Sequence, residues 1–210
     1  MTPSTETTSQ ALAEVEISGM TRESFLLRSA LAAGAVYGVG MISPFMRQAI
    51  AAEAMDDLGI LNFALTLEYL EAAFYARALS TIKLSADVGA VAKIIAKDEA
   101  EHVAALTATI KKLGGTPVAS PKVAFPMKDE KSFLMLAQVF EDTGVSAYNG
   151  AAPGIKNKDV LGAAGSIVQV EARHAAVIRL LNNQTPAPNA FDPSLTADKV
   201  LTAVKPFIKA

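Results

Sequence analysis

The most constraining feature of this 210-residue sequence is a repeated arrangement of glutamate, tyrosine and histidine. Each copy has a glutamate, a tyrosine seven residues later and then a Glu-x-x-His motif, whose glutamate follows the first one by 31 residues in one copy and 30 in the other. The two copies are Glu68, Tyr75, Glu99 and His102, followed by Glu141, Tyr148, Glu171 and His174. Both histidines of the chain therefore lie in the same motif. Such an internal repeat predicts that two similar structural units are packed together.

The repeat is carried by segments with a helical pattern. We predict long helices over residues 56–79, 85–114, 132–151 and 158–182, and a short terminal helix within 195–208 that is broken by proline. Gly114 is expected to cap the second helix. No segment shows the sustained alternation of apolar and polar residues that is typical of strands.

The connections between these segments predict how the helices are arranged. Short loops follow the first and third helices, so each joins the next helix in an antiparallel hairpin. The connection between the second and third helices is long enough to run the length of a bundle. We therefore predict an all-α fold, a four-helix bundle with one long crossover, over residues 52–210.

The spacing of the motif residues points to metal binding. Residues i and i+3 share a helix face, so Glu99 and His102 can address one point. With the second motif and the two remaining glutamates, the helices offer four carboxylates and two imidazoles, which suits two divalent ions. A pair of such ions would also balance the charge of four carboxylates in an apolar core.

A single Glu-x-x-His motif also occurs on solvated helix faces, which is the alternative interpretation. The apolar surroundings of Glu68 in "FALTLEYLEAAF" and of Glu141 after "LMLAQVF" favour burial instead. The sequence contains no cysteine, which excludes disulfides and cysteine-ligated zinc or iron–sulfur clusters. Its net charge of −2 gives no indication of nucleic-acid binding.

Four segments resemble a known family. The segments "LNFALTLEYLEAAFYARAL", "KDEAEHVAALTATI", "FEDTGVSAYNGAAP" and "VEARHAAVIRLL" resemble, in this order, the ferritin-like proteins of the di-iron carboxylate superfamily. The closer resemblance is to the bacterial ferritin-like proteins related to desiccation-associated proteins. It covers about residues 56–183 and implies that the four glutamates and two histidines of the repeat are metal ligands.

The resemblance also implies particular roles within the site. Glu99 and Glu171 would bridge the two metal ions. Tyr75 and Tyr148 would hydrogen-bond ligand carboxylates across the bundle, although packing as core aromatic residues is the alternative. Glu71, one turn after Glu68, is either an extra carboxylate ligand for one metal or a polar neighbour that faces solvent.

Several functions are compatible with such a site. The leading hypothesis is a di-iron or dimanganese centre that oxidises Fe(II) or removes peroxide, with O2 or H2O2 as substrate and electrons from an external donor. The alternatives are a non-catalytic stress or envelope protein with structural metals, and an iron-storage protein, which requires a homo-oligomer with a cavity. The flanking acids Asp98 and Glu101 are interpreted as surface charge.

The N-terminal residues 1–51 have a different composition. Residues 1–20 are rich in serine, threonine and glutamate and are expected to be flexible. No charged residue occurs from Ser29 to Met46, and Ala49-Ile50-Ala51 offers a small-x-small cleavage site. The segment "TRESFLL" resembles a twin-arginine export signal in which Glu23 replaces the second arginine. This pattern predicts a signal peptide or membrane anchor and hence export or membrane association. The alternative is an amphiphilic helix that packs on its own domain or a partner, as in a cytoplasmic protein.

If the segment is a cleaved signal, the mature protein begins near Ala52. The intact mass of protein purified from its natural host is then expected to match a chain that lacks the preceding residues. A mass that still includes Met1 or Thr2 would show that the signal is not cleaved.

Overall fold

The protein is built from four long helices followed by one short helix, in the part of the chain that the computed structural model describes, residues 16–17, 20–21 and 55–209. The helices are α1 (Asp57–Thr81), α2 (Ala86–Lys112), α3 (Glu130–Ala151), α4 (Lys158–Leu181) and α5 (Ala197–Val204). Short 3-10 turns follow α3 at Ala152–Gly154 and α5 at Lys205–Phe207. Two-residue strands, β1 (Glu16–Ile17) and β2 (Met20–Thr21), pair antiparallel. The predicted all-α bundle is confirmed.

The C-terminal end of α2 is stopped by glycine, as predicted. Gly114 has a φ of +79°, a left-handed conformation that other residues rarely adopt. The Gly114 N–H donates to the Lys111 carbonyl at 3.0 Å, and the Gly115 N–H donates to the Ile110 carbonyl at 2.9 Å. This pair of bonds is a Schellman motif, which satisfies carbonyls that would otherwise lack a partner.

Helix α3 starts two residues before the predicted Ser132. The Ser132 N–H donates to the Asp129 carboxylate at 2.8 Å, and the Asp129 N–H donates to the Ser132 hydroxyl at 3.0 Å. This reciprocal capping box satisfies free N–H groups of the first turn. The helix therefore begins directly after Asp129, at Glu130.

The crossover between α2 and α3 runs along α1. Near the start of α1, the Val118 N–H donates to the side-chain oxygen of Asn62 at 2.8 Å. Farther along α1, the ring of Phe125 meets that of Phe74 at a centroid distance of 5.3 Å. With α2, α3 and the crossover around it, α1 is buried on most of its circumference, which explains why it is apolar on nearly every face.

The C-terminal segment closes one end of the bundle. The Ala124 N–H donates to the Phe207 carbonyl at 2.9 Å, and the Lys209 N–H donates to the Lys122 carbonyl at 2.8 Å. These bonds attach the chain end to the crossover. The phenylalanine cluster beneath them consists of Phe74, Phe125, Phe133, Phe140 and Phe207.

The predicted signal or anchor segment, Ser29–Met46, lies outside the described residues. Among the helices that are described, none is both long and apolar enough to span a membrane.

Gly150 marks a close approach between α3 and the segment before α5. The Leu195 N–H donates to the Ser146 carbonyl at 2.9 Å, and a Cβ atom at position 150 would lie 1.9 Å from the Leu195 carbonyl oxygen. Because a backbone atom cannot move aside alone, Gly150→Ala is expected to lower the free energy of unfolding by about 3 kcal/mol. Urea unfolding measures this effect. Gly162→Ala in α4 is the control, since nothing lies within 4 Å of its Cβ position. The free energy of unfolding of that variant is expected to rise by about 0.5–1 kcal/mol. Equal effects of the two substitutions would contradict the prediction.

Candidate metal centre

The six residues of the Glu and Glu-x-x-His motifs converge in the interior of the bundle. Each of the four long helices contributes at least one of them: Glu68, Glu99, His102, Glu141, Glu171 and His174. All four glutamates are 0% exposed, and the histidines are 9% and 5% exposed. The alternative that these motifs form a solvated surface is therefore wrong.

Their ligand atoms form two overlapping groups, in each of which all atoms lie within 4.8 Å of one another. One group contains Glu68, Glu99, His102 and Glu171, and the other contains Glu99, Glu141, Glu171 and His174. Glu99 and Glu171 belong to both groups. These are the two glutamates that the resemblance implied as bridging residues.

Each shared glutamate turns one oxygen toward each histidine. Glu171 Oε1 lies 2.9 Å from His102 Nδ1, and Glu171 Oε2 lies 3.7 Å from His174 Nδ1. For Glu99, Oε2 lies 3.2 Å from His102 Nδ1 and Oε1 lies 3.0 Å from His174 Nδ1. Two carboxylates thus lie between two imidazoles, an arrangement suited to bridging a pair of cations.

The two tyrosines of the repeat hold the remaining glutamates. The Tyr75 hydroxyl donates to Glu141 Oε1, and the Tyr148 hydroxyl donates to Glu68 Oε1. Each tyrosine therefore reaches from its own helix to the glutamate of the other repeat unit. Because each tyrosine occupies only one oxygen of its glutamate, the other oxygen is left facing the cluster.

Several of these buried atoms form no hydrogen bond of suitable geometry with the described residues, although some of them lie close to an imidazole nitrogen. They are Glu68 Oε2, Glu99 Oε1, Glu141 Oε2, both carboxylate oxygens of Glu171, and His174 Nδ1. An unpaired buried polar atom costs about 1–3 kcal/mol, and more when it is charged. Divalent cations would satisfy all of these atoms at once, since carboxylate oxygens and imidazole nitrogens suit iron and manganese. The residues present thus fit a metal site.

The electrostatics of the cluster reflect its excess of acidic groups. Burial raises the pKa of Glu68 well above its ordinary value, and it raises that of Glu141 to about 8. Burial alone would also raise the pKa of Glu99, but its contacts with His102 and His174 lower it to about 2. Although burial opposes the charged form of His102, contacts with Glu171, Glu68 and Glu99 raise its pKa to about 12. In the absence of cations, protons therefore balance the charge of the carboxylates.

Glu71 does not face solvent, so that alternative is wrong. Its side chain is 3% exposed, and burial raises its pKa well above the ordinary value. The space for it comes from Gly144, its counterpart in the repeat, whose Cβ position would lie 3.1 Å from Glu71 Oε1. Glu71 lies beside the two groups of ligand atoms but belongs to neither. The cluster therefore includes a fifth buried carboxylate.

The prediction that Asp98 is only a surface charge is wrong, because its side chain contacts a candidate ligand. Its carboxylate lies 3.2 Å from His174 Nε2, the nitrogen that does not face the cluster. A carboxylate at that nitrogen fixes the orientation of the ring and strengthens the imidazole as a ligand. The contact joins α2 to α4, so no spacing within one helix could reveal it. Glu101 is an exposed charge, as predicted, and pairs with Lys97 at 2.8 Å.

Replacing Asp98 with asparagine is expected to weaken metal binding by about 10–100-fold at the group that contains His174. The amide side chain is nearly the same size as the carboxylate but could no longer stabilise a positively polarised imidazole. Titration of the metal-free protein with Fe(II) under anaerobic conditions measures this affinity. Glu101→Gln, which removes a charge from the exposed side of the same helix, should bind metal like the wild type. Equal affinities for the two variants would contradict the role of Asp98.

Comparison with known proteins gave one family and several structures. The profile of the ferritin-like domain family matches residues 56–184, more than half of the chain. A comparison with functionally curated proteins gave no match.

Two solved structures are similar to the bundle. One is a conserved hypothetical protein from Mycobacterium tuberculosis, with 17% identity and a TM-score of 0.56, and the match covers 64% of this chain and 96% of the other. The second, a ferritin-like, diiron-carboxylate protein from Bacillus anthracis str. Ames, has 22% identity and a TM-score of 0.55, with coverage of 60% and 95%. At these identities the similarity shows a shared fold.

Proposed function

Because the chain belongs to the ferritin-like domain family, we propose that its buried glutamates and histidines hold two metal ions and that the loaded centre reacts with O2 or H2O2. The observation that carries the proposal is the set of buried carboxylate oxygens that face one space between the four long helices and form no hydrogen bond of suitable geometry. Protons can neutralise part of this charge, whereas divalent cations would satisfy the carboxylate oxygens and the imidazole nitrogens together.

The chain's residues divide between two metal positions. Glu68 and His102 would serve one position, and Glu141 and His174 the other. Glu99 and Glu171 would serve both, since each presents one oxygen to each side. The two groups thereby form one dinuclear centre.

When bound, two Fe(II) ions would supply the two electrons that reduce O2 to H2O2 or H2O2 to water. The protein would orient the ligands and exclude bulk water from them. Tyr75 and Tyr148 each hold one oxygen of a glutamate, which keeps its other oxygen directed at the centre. Asp98 would orient His174 in the same way. Re-reduction would depend on an external electron donor.

Manganese suits the same ligands, because carboxylates and imidazoles bind both metals. A dimanganese centre that disproportionates peroxide is therefore the nearest variant of this proposal. Metal analysis of protein purified from its natural host would distinguish the two metals.

The test is to load the metal-free protein with Fe(II) under anaerobic conditions and then add O2 or H2O2. Repeated oxidation of added Fe(II), with more than one turnover per chain, is the expected result. The Glu99→Ala variant, treated in the same way, is expected to oxidise Fe(II) no faster than buffer.

Two other outcomes would contradict the catalytic proposal. Ferric mineral that stays bound to the protein beyond two irons per chain would indicate storage. Retention of two unreactive metals, together with higher thermal stability, would indicate that the metals only connect the helices.

A further inference from the structure

A small cavity lies inside the bundle next to the candidate metal centre, at the end opposite the phenylalanine cluster. It is lined from all four long helices, including Ala64, Leu67, Leu106, Tyr148 and Ile167. Ala64, Leu106 and Ile167 are each one helical turn from a candidate ligand. Tyr148, which also lines the cavity, donates its hydroxyl hydrogen to Glu68. The inner wall of the cavity is therefore also part of the wall of the metal centre.

The size of the cavity limits what it can hold. It contains about 40 Å³ of space. Since a buried water molecule needs about 10–15 Å³, a molecule of about two or three heavy atoms fits. The space exists because alanines line this end of the bundle on every long helix: Ala64, Ala105, Ala147, Ala151, Ala163 and Ala164. At the opposite end, phenylalanine rings pack the interior.

The mouth of the cavity lies between α2 and α4. Ala105 of α2 and Ala163 of α4 line the cavity and are exposed, and Thr109 beside them is half-buried. Deeper in the cavity, Leu106 and Ile167 are buried. A small molecule could therefore enter from solvent between these two helices.

The lining offers little to a polar molecule. Its two hydroxyl groups already donate hydrogen bonds, that of Thr109 to the Ala105 carbonyl at 2.8 Å and that of Tyr148 to Glu68. The remaining lining side chains are aliphatic apart from Phe63. A buried water molecule usually keeps about three hydrogen bonds, and H2O2 likewise depends on polar partners, so the lining satisfies neither. An apolar gas loses no hydrogen bond on entry, and its transfer out of water is favourable.

We propose that this cavity binds dioxygen and supplies it to the metal centre, and that H2O2 is excluded from this route. O2 is apolar and has two heavy atoms, so it matches both the lining and the volume. It enters between Ala105 and Ala163 and comes to rest against Leu67 and Tyr148, beside Glu68. Binding of the gas does not require the metals, whereas its use as the oxidant rests on the proposed function.

The first experiment uses O2 itself as the probe, with full-length, metal-free protein that carries labelled methyl groups. Because O2 is paramagnetic, it speeds the nuclear relaxation of methyl groups that it contacts. The references are Ile95 and Ile178, which are buried outside the cavity. Under O2 pressure, the added relaxation at Leu106 and Ile167 is expected to exceed that at the references by about fourfold or more, as burial of one methylene-sized apolar group would give. Equal enhancement at all four residues would overturn the proposal.

Two variants that fill the cavity sharpen this measurement. Ala64→Val adds two methyl groups at a buried lining position, and Ala164→Leu adds a larger group at a half-buried one. Each is expected to remove most of the added relaxation at Leu106. Ala104→Leu is the control, since Ala104 is exposed and does not line the cavity, and it should relax like the wild type. Circular dichroism confirms that each variant is folded. Enhancement that persists in both filled variants would overturn the proposal.

The second experiment tests supply of O2 to the centre in protein loaded with Fe(II), after metal analysis has shown equal loading. In Ala64→Val, the rate of oxidation by O2 is expected to fall by about fourfold or more, in proportion to the lost gas binding. The rate with H2O2 should stay that of the wild type, because peroxide does not use the cavity. Equal losses with both oxidants, or no loss with O2, would overturn the supply route.

The two experiments also separate this inference from the proposed function. If O2 collects in the cavity but the loaded centre oxidises no Fe(II), the gas site is supported and the proposed function fails. If the loaded centre oxidises Fe(II) but the methyl groups show no excess relaxation, the proposed function is supported and the gas site is overturned.

Discussion

Replacing Glu99 with alanine is expected to abolish metal binding at both positions of the centre. Glu99 has one oxygen beside His102 and the other beside His174, so its loss removes a ligand from both groups. His174→Ala removes a ligand from only one group and should leave about one ion per chain. Anaerobic loading with Fe(II), followed by gel filtration and elemental analysis, measures these stoichiometries.

The matched control is Glu101→Ala. Glu101 lies on α2 two residues after Glu99, but it is exposed and pairs with Lys97. Its loss is expected to leave the metal content unchanged. Should both Glu99→Ala and His174→Ala retain two ions per chain, the assignment of the ligands is wrong.

Metal loading is expected to raise the melting temperature of the wild-type protein by about 10 °C or more. The cluster buries five glutamates, and several of their oxygens form no hydrogen bond of suitable geometry with the described residues. An ion present at 100 times its dissociation constant stabilises the native state by about 2.7 kcal/mol for each site. In a chain of this size, each kcal/mol of added stability raises the melting temperature by about 2–4 °C.

Differential scanning calorimetry with Fe(II) or Mn(II) under anaerobic conditions, and again with a chelator, measures this shift. Glu101→Ala should show the same shift as the wild type, whereas Glu99→Ala should show almost none. A wild-type melting temperature that is identical with metal and with chelator would contradict the prediction. The comparison between variants also separates binding in the core from binding of metal to surface carboxylates.

Much of the fold could be predicted from the sequence, because helices and their connections depend on local patterns. The positions of the four long helices, the two hairpins and the crossover are confirmed, with helix ends within a few residues. Helix α3 begins two residues before the predicted Ser132, and this difference has a local cause, the capping box of Asp129. The leader-like segment before residue 52 lies outside the described residues, and its export function stays a prediction.

The convergence of the six candidate ligands could also be anticipated, since the repeat places equivalent residues on equivalent helix faces. The environment of Glu71 could not be predicted, because it depends on what lies opposite on another helix. Gly144 leaves space there that a larger residue would fill. The contact between Asp98 and His174 was missed for the same reason, as it joins residues 76 positions apart.

The sequence by itself determined which side chains each helix directs toward the bundle axis, because residues three, four and seven positions apart share one face. Only the tertiary structure decided which atoms meet between helices: the oxygens of Glu99 and Glu171 that face both histidines, and the aspartate behind His174. Helix periodicity is a property of the local backbone. Distances between helices depend instead on the packing of side chains that are remote in sequence. A glycine on one helix can therefore determine whether a carboxylate fits on another.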